Sequence, residues 1–325
     1  MTSTTTTATT SPASMSFLQR LRFHIVIETG STRAVALFRI FFTMLVINSL
    51  GDEFLFWKVL PGGDGPQFPL TQHLAFGVVG ALFLTSSPMV LFGYKTRPAS
   101  IVMAISLLLA FFMLGDSDFQ MLRFRHHHTQ LMMTCATALA CAPAGRSFSV
   151  DRYLAIKKAQ ANGTPVPAEW GRLTGQRMIC FVITSLYFGG AVDKMRVAYL
   201  SGHELERTLL SYFSDADRWP MFPGFWWAMG IGSVVWELVL AFGLWVPRLQ
   251  KPLIIGSVAF HILLAFTMNV GSFGAMTCLA SMMFLHTSII HRACDLMMTP
   301  SSPSSSSPSS SSSLSSPATA EAVVV

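Results

Sequence analysis

The stretch Met178–Lys194, MICFVITSLYFGGAVDK, decides the fold. From Met178 to Val192 no side chain carries a charge, so the stretch reads as a helix crossing a membrane, and Lys194 closes it where such a helix should meet water. A lone amine at that depth has two readings. It can be an anchor, its stem buried and its head reaching the interface. It can also be a desolvated base, because loss of water favours the neutral amine.

Composition sets the class. Half of the 325 residues are hydrophobic (51%) and 12% are charged, with a mean hydropathy of +0.51, too apolar for a soluble domain of this size. The expected fold is therefore all-α, a polytopic integral membrane helix bundle. The formal charge of +6 is spread over short loops rather than one stripe, which fits membrane orientation and excludes nucleic acid as a partner.

At roughly 20 residues per crossing, the apolar periodicity predicts about eight transmembrane helices. They fall near Ala34–Leu50, Ala75–Phe92, Ser100–Leu114, His128–Ala142, Met178–Val192, Phe225–Val246, Pro252–Val270 and Ser272–Ile290. Residues 1–16 are Thr-rich and residues 293–325 are dominated by Ser and Pro, so both read as disordered tails around a transmembrane domain at 17–292. Phe17–Ile27, with Arg20 and Arg22, reads as an amphipathic interfacial helix leading into the first span. The first span, rather than a cleaved signal, is expected to serve as the targeting element.

Loop charges set the orientation. Arg33, Lys95, Arg97, Arg146, Arg152, Arg248 and Lys251 belong to loops on one side, and acidic residues such as Asp52, Asp64, Asp116, Glu204 and Glu206 to the alternate loops. The basic side should be cytoplasmic, with both termini there. That places Lys194 at the outer end of its span, together with the start of the His126-His127-His128 run, and His261 midway along the seventh span.

Successive histidines on a helix lie about 100° apart, so this run makes a poor tri-histidine site and no metal is expected. An imidazole inside a bundle is either a satisfied polar group or a proton-transfer group. Arg39, in Ala36-Leu37-Phe38-Arg39-Ile40-Phe41-Phe42, and Glu237, in Val235-Trp236-Glu237-Leu238, are the remaining charges in apolar surroundings. Each needs a partner, and each reads as a structural buried charge. The five cysteines have no CxxC spacing and read as small core residues.

Several of these residues come together in one resemblance. Phe38-Arg39-Ile40, His128, Arg146-Ser147-Phe148-Ser149-Val150-Asp151, Tyr187-Phe188-Gly189-Gly190-Ala191-Val192-Asp193-Lys194-Met195, Gly202, and Phe260-His261 followed by Gly271 resemble the membrane domain of vitamin K-dependent γ-carboxylases, the horizontally transferred transmembrane (HTTM) family, over about residues 17–292. The resemblance implies base-catalysed oxygenation of a lipophilic hydroquinone to its epoxide, coupled to carboxylation of a protein glutamate. Reduced vitamin K or another quinol would be consumed with O2 and CO2. It implies Lys194 as the base and His128 as a catalytic partner, with His127, His261 and Tyr187 as polar cavity residues. Arg39, Glu237, Arg146 and Asp151 would be structural. The partners implied are membrane lipid, the quinol and a glutamate-bearing peptide.

Three positions depart from the family pattern. Asp193 stands before the lysine where animal carboxylases often have another lysine, Tyr199 stands where a tryptophan is expected, and His127 replaces an asparagine. The large, mostly β lumenal domain of the animal enzymes has no counterpart in this sequence. The alternative is a non-enzymatic HTTM protein, such as a membrane subunit, peptide-handling partner or transporter.

Overall fold

The computed structural model describes residue 16 and residues 27–55, 70–114, 127–212, 224–268 and 271–298. The rest of both expected tails, the expected Phe17–Ile27 helix apart from Ile27, and His126 lie outside the described residues. The described chain is mostly helical. Its helices are α1 (Arg33–Leu55), α2 (Leu70–Phe92), α3 (Thr96–Leu109, extended by a π turn at Ala110–Leu114), α4 (His127–Ala140), α5 (Val150–Ala161), α6 (Thr174–Lys194), α7 (Val197–Leu200), α8 (His203–Tyr212), α9 (Phe225–Gly243), α10 (Gln250–Met268), α11 (Gly271–Ser281) and α12 (Thr287–Met298). A two-stranded antiparallel ribbon, β1 (Thr29–Ser31) and β2 (Trp170–Arg172), pairs Gly30 with Gly171 and ties the approach to α1 to the approach to α6.

Seven of the eight apolar stretches expected to span each fall on one helix, but membrane length is reached by fewer. Among the described residues, three helices are long and apolar enough to cross a membrane, within Arg33–Gly51, Leu74–Phe92 and Phe225–Gly243. Helix α6 is not among them, since its first turns carry Gln176 and Arg177. The expected last span, Ser272–Ile290, is not one helix: α11 and α12 meet at a 104° bend, and the pair would add a fourth span if counted as one.

The break has a physical cause. Met282–Phe284 tightens into a 3-10 turn and Leu285 is extended, while His286 accepts from the Ser288 amide through Nδ1 and starts the next helix. The buried Gln176 side chain donates to the Met283 carbonyl at 2.7 Å, satisfying a backbone group exposed by the break. Helix α12 continues to Met298, beyond the expected boundary at 292. It is fastened to the bundle by Arg33, whose guanidinium bridges Glu169 at 2.7 Å and Asp295 at 2.5 Å.

Neighbouring helices pack in sequence, α1 on α2, α2 on α3, α3 on α4 and α4 on α6, and α11 closes the bundle against α1 and α6. Phe38, Phe42, Phe83, Met103, Leu107, Met132, Ile179 and Ile183 fill the centre. Phe38 and Phe42, one turn apart on α1, stack at 5.3 Å.

The segment Arg146–Asp151 locks one end. Arg146 donates to the Trp170 carbonyl on β2. The Ser147 hydroxyl shares a hydrogen bond with Thr32 at 2.7 Å. Phe148, in the left-handed region at φ 46°, offers its carbonyl to Arg39. Ser149 caps α5 by accepting from the Arg152 amide at 2.9 Å. Asp151 caps α3 from outside its own helix, accepting from the Lys95 and Thr96 amides at 2.8 Å each and from the Thr96 hydroxyl at 2.6 Å.

Arg39 is fully buried and donates to the Ala144 carbonyl at 2.6 Å and the Phe148 carbonyl at 2.5 Å. A carbonyl cage of this kind holds a guanidinium without a carboxylate in contact. Gly93 makes the approach possible: at φ +69°, a Cβ there would stand 2.4 Å from the Ser149 Cβ and 2.6 Å from Arg39 Nη1.

Because one carboxylate supplies three hydrogen bonds at the start of α3, Asp151→Ala should cost about 3 kcal/mol of stability. Thermal or denaturant unfolding in detergent would measure this, and a loss below about 0.5 kcal/mol, the level of an ordinary surface substitution, would show that the cap is dispensable.

Candidate functional site

At the other end of the bundle, α6 carries Tyr187, Gly190, Ala191 and Lys194 at a spacing that puts them on one face. Helix α9 packs along that face and presents Glu237. The Lys194 amine donates to both carboxylate oxygens, Oε1 at 2.7 Å and Oε2 at 2.9 Å. The Glu237 side chain is 9% exposed and that of Lys194 27%, so the acid is the buried half of the pair and the amine its open half.

Gly190 provides the room. A Cβ there would stand 3.1 Å from Glu237 Oε2 and 3.5 Å from Lys194 Nζ, so a side chain would crowd the pair. Its neighbour Gly189 meets nothing within 4 Å. Asp193 is turned away and pairs with Arg196 at 3.2 Å in an exposed contact. The carboxylate adjacent to Lys194 in sequence is therefore occupied elsewhere, and the one bonded to it comes from a different helix.

Tyr199 covers the amine from α7, with its ring centroid 5.9 Å from Lys194 Nζ and its hydroxyl 3.0 Å from the Ser233 hydroxyl. Burial pushes that phenol above its ordinary range, with the Ser233 hydrogen bond acting against the shift. Gly202 sets the turn below it. At φ +85°, a Cβ there would lie 2.3 Å from the Trp226 backbone carbon, so the chain can pass α9 only as glycine.

The second part of the site lies between α6 and α10. The Tyr187 hydroxyl is 2.7 Å from the Ser257 hydroxyl and 3.1 Å from His261 Nε2. Ser257 and His261 are four residues apart on α10 and so share a face. His261 is 3% exposed, and its Nδ1 has no hydrogen-bond partner.

His128, at the start of α4, lies further along the same group. Its Nδ1 is 3.4 Å from the Ser272 hydroxyl, its ring stacks on Phe273 at 5.3 Å, and Phe273 meets His261 edge-on at 6.2 Å. The side chain of His127 lies outside the described residues.

The structure joins Tyr187, Ser257 and His261 by hydrogen bonds, pairs Lys194 with Glu237 on the α6 face that also carries Tyr187, and reaches His128 from His261 through Phe273. Glu237, read from the sequence as a separate structural charge, is the direct partner of Lys194. Ser257, Phe273 and Gly190 were not singled out. The signal for Ser257 is its spacing of four from His261, and for Gly190 its spacing of four from Lys194. Arg39, Arg146 and Asp151 belong to the opposite, locked end.

The sequence profile of the HTTM domain matches residues 29–288. The chain belongs to the HTTM domain family, a class of membrane proteins. Searches of curated proteins and of solved structures give no match.

Tyr187→Phe removes the hydroxyl that satisfies His261 Nε2 and leaves both nitrogens of a buried imidazole without a protein partner. The expected cost is about 1–3 kcal/mol of stability, read by thermal unfolding in detergent. An unchanged melting temperature would mean that the Tyr187–His261 contact contributes nothing.

Proposed function

We propose that the chain is a carboxylase-like membrane enzyme in which Lys194 acts as base on a lipophilic quinol. HTTM domains are found in vitamin K-dependent carboxylase-type membrane proteins. The observation that supports the reading is a partly open amine on the same face of α6 as Tyr187, whose hydroxyl meets the buried Ser257 and His261. In the proposed topology about eight spans put both tails on the cytoplasmic side and Lys194 near the opposite face.

The residues suit an aromatic diol. His261 Nδ1 is a buried polar atom without a protein partner, Tyr187 is a hydroxyl donor and acceptor beside it, and Phe273 offers a ring face. Bound there, the quinol would supply the hydroxyl proton and, with O2, the oxidising chemistry that drives carboxylation by CO2. The chain's part is to orient the ring, limit access of water and accept the proton at Lys194 Nζ. General-base catalysis by a positioned amine contributes about 100-fold to 10,000-fold.

One observation favours the non-enzymatic alternative. The bidentate pair between Lys194 and Glu237 joins α6 to α9 and has a structural role without any substrate.

Lys194→Arg separates the two readings. Arginine keeps the charge and can form a bidentate bond to Glu237, but it cannot release its proton. Purified protein in detergent, supplied with a reduced quinone, O2 and labelled bicarbonate, should form epoxide, and the arginine variant should lose about 100-fold or more while remaining folded. An arginine variant with wild-type epoxidation would end the base assignment. A wild-type protein inactive with every reduced quinone would favour the non-enzymatic reading.

A further inference from the structure

The Lys194–Glu237 pair poses a chemical problem for any reading in which the lysine is a base. A lysine bonded through both oxygens of a carboxylate is held as ammonium, and an ammonium cannot accept a proton. The proton must leave before the amine can work. Among the described residues, Lys194 is the one cation within salt-bridge range of Glu237.

Resting on the quinol-base reading above, we propose that Glu237 is the positioning residue of the site, holding the Lys194 amine beside Gly190 and serving as first acceptor of the proton the lysine must release. The transfer is short and balanced. An N–H bond of the ammonium breaks, an O–H bond forms at Oε1 across 2.7 Å, and the charged pair becomes a neutral amine beside a neutral carboxylic acid. No electrons are exchanged and no further reactant is required.

Exclusion of water favours this step, because taking solvent away from an ion pair penalises both charged forms and leaves the neutral pair little affected. Arrival of an apolar substrate at the open side of Lys194 would therefore drive the transfer. The neutral amine then takes the proton of the substrate hydroxyl and becomes ammonium again.

The surrounding titratable groups leave this role to Glu237. Tyr187 on α6 is bonded to Ser257 and His261 on α10, and Tyr199 on α7 to Ser233. Asp193 is bonded to Arg196.

The test uses Glu237→Gln and Glu237→Asp in the full-length protein, with folding checked by elution profile and melting. Labelling of Lys194 by an amine-acylating reagent across a pH series, read on the Lys194 peptide by mass spectrometry, reports the free amine without requiring activity. Removing the carboxylate makes the ammonium easier to deprotonate, so half-labelling in Glu237→Gln should fall by about one pH unit or more. The acid limb of quinol epoxidation should move down with it, and the rate above the limb, where the amine is already neutral, should drop about tenfold or more as the amine loses the carboxylate that positions it. Glu237→Asp, which keeps a carboxylate, should return the limb toward its wild-type position.

A folded Glu237→Gln protein whose labelling midpoint is unmoved, or moves up, would overturn the proposal. So would a lowered midpoint with an unchanged epoxidation rate above the limb, since Glu237 would then not position the amine. A wild-type protein without epoxidation, in which Glu237→Gln still lowers the midpoint, would defeat the quinol reading alone and uphold control of the Lys194 proton by Glu237.

Discussion

Two opposite charges brought together in apolar surroundings constrain the rest of this structure. Lys194 and Glu237 lie on different helices and meet through both carboxylate oxygens, which forces α6 and α9 into one register. Such a pair is a poor source of net stability, because the cost of removing both ions from water offsets most of their attraction. Its consequence is specificity of approach. Gly190 is bare where the carboxylate arrives, Asp193 is drawn off by Arg196, and Gly202 lets the chain turn closely past Trp226 so that Tyr199 can cover the amine.

The two ends of the bundle have opposite physical characters. At one end, Arg39, Asp151 and Gln176 are fixed mainly to backbone, to two carbonyls, two amides and the carbonyl freed by the broken last helix, beside the Ser147–Thr32 hydrogen bond and the Arg33 ion pairs. Backbone partners do not change with protonation or ligand, so that end serves as a frame. At the other end, side chains meet side chains: lysine with glutamate, tyrosine with serine and histidine, histidine with an aromatic ring. Those contacts can exchange protons and partners, and rigid support from the first end is what keeps them in position.

The sequence showed most of the helices because long apolar runs leave few other choices: seven of the eight expected stretches each fall on one helix, and the last is split between α11 and α12. It did not show the bend after Phe284. His286-Thr287-Ser288 contains neither proline nor glycine, and the carbonyl freed at the break is satisfied by Gln176, from a helix far away in sequence. Lys194 and Glu237 were each conspicuous as charges in apolar runs, but their pairing spans 43 residues and cannot be read from local spacing. Asp151 was read as a buried structural charge, while its target, the start of α3, became apparent only once the chain had brought Gly93 beside Ser149. Residues that act within one helix were legible, and those that act between helices were not.

Lys194 and Glu237 form a coupled pair in apolar surroundings, and a double-mutant cycle on stability measures that coupling. Lys194→Met and Glu237→Leu are compared singly and together by denaturant titration in detergent. The account predicts that each single change, by leaving one polar group without its partner, costs more than the double change, with a coupling of about 2 kcal/mol or more. Additive losses, with coupling below about 0.5 kcal/mol, would show that the two side chains act independently and would contradict the account.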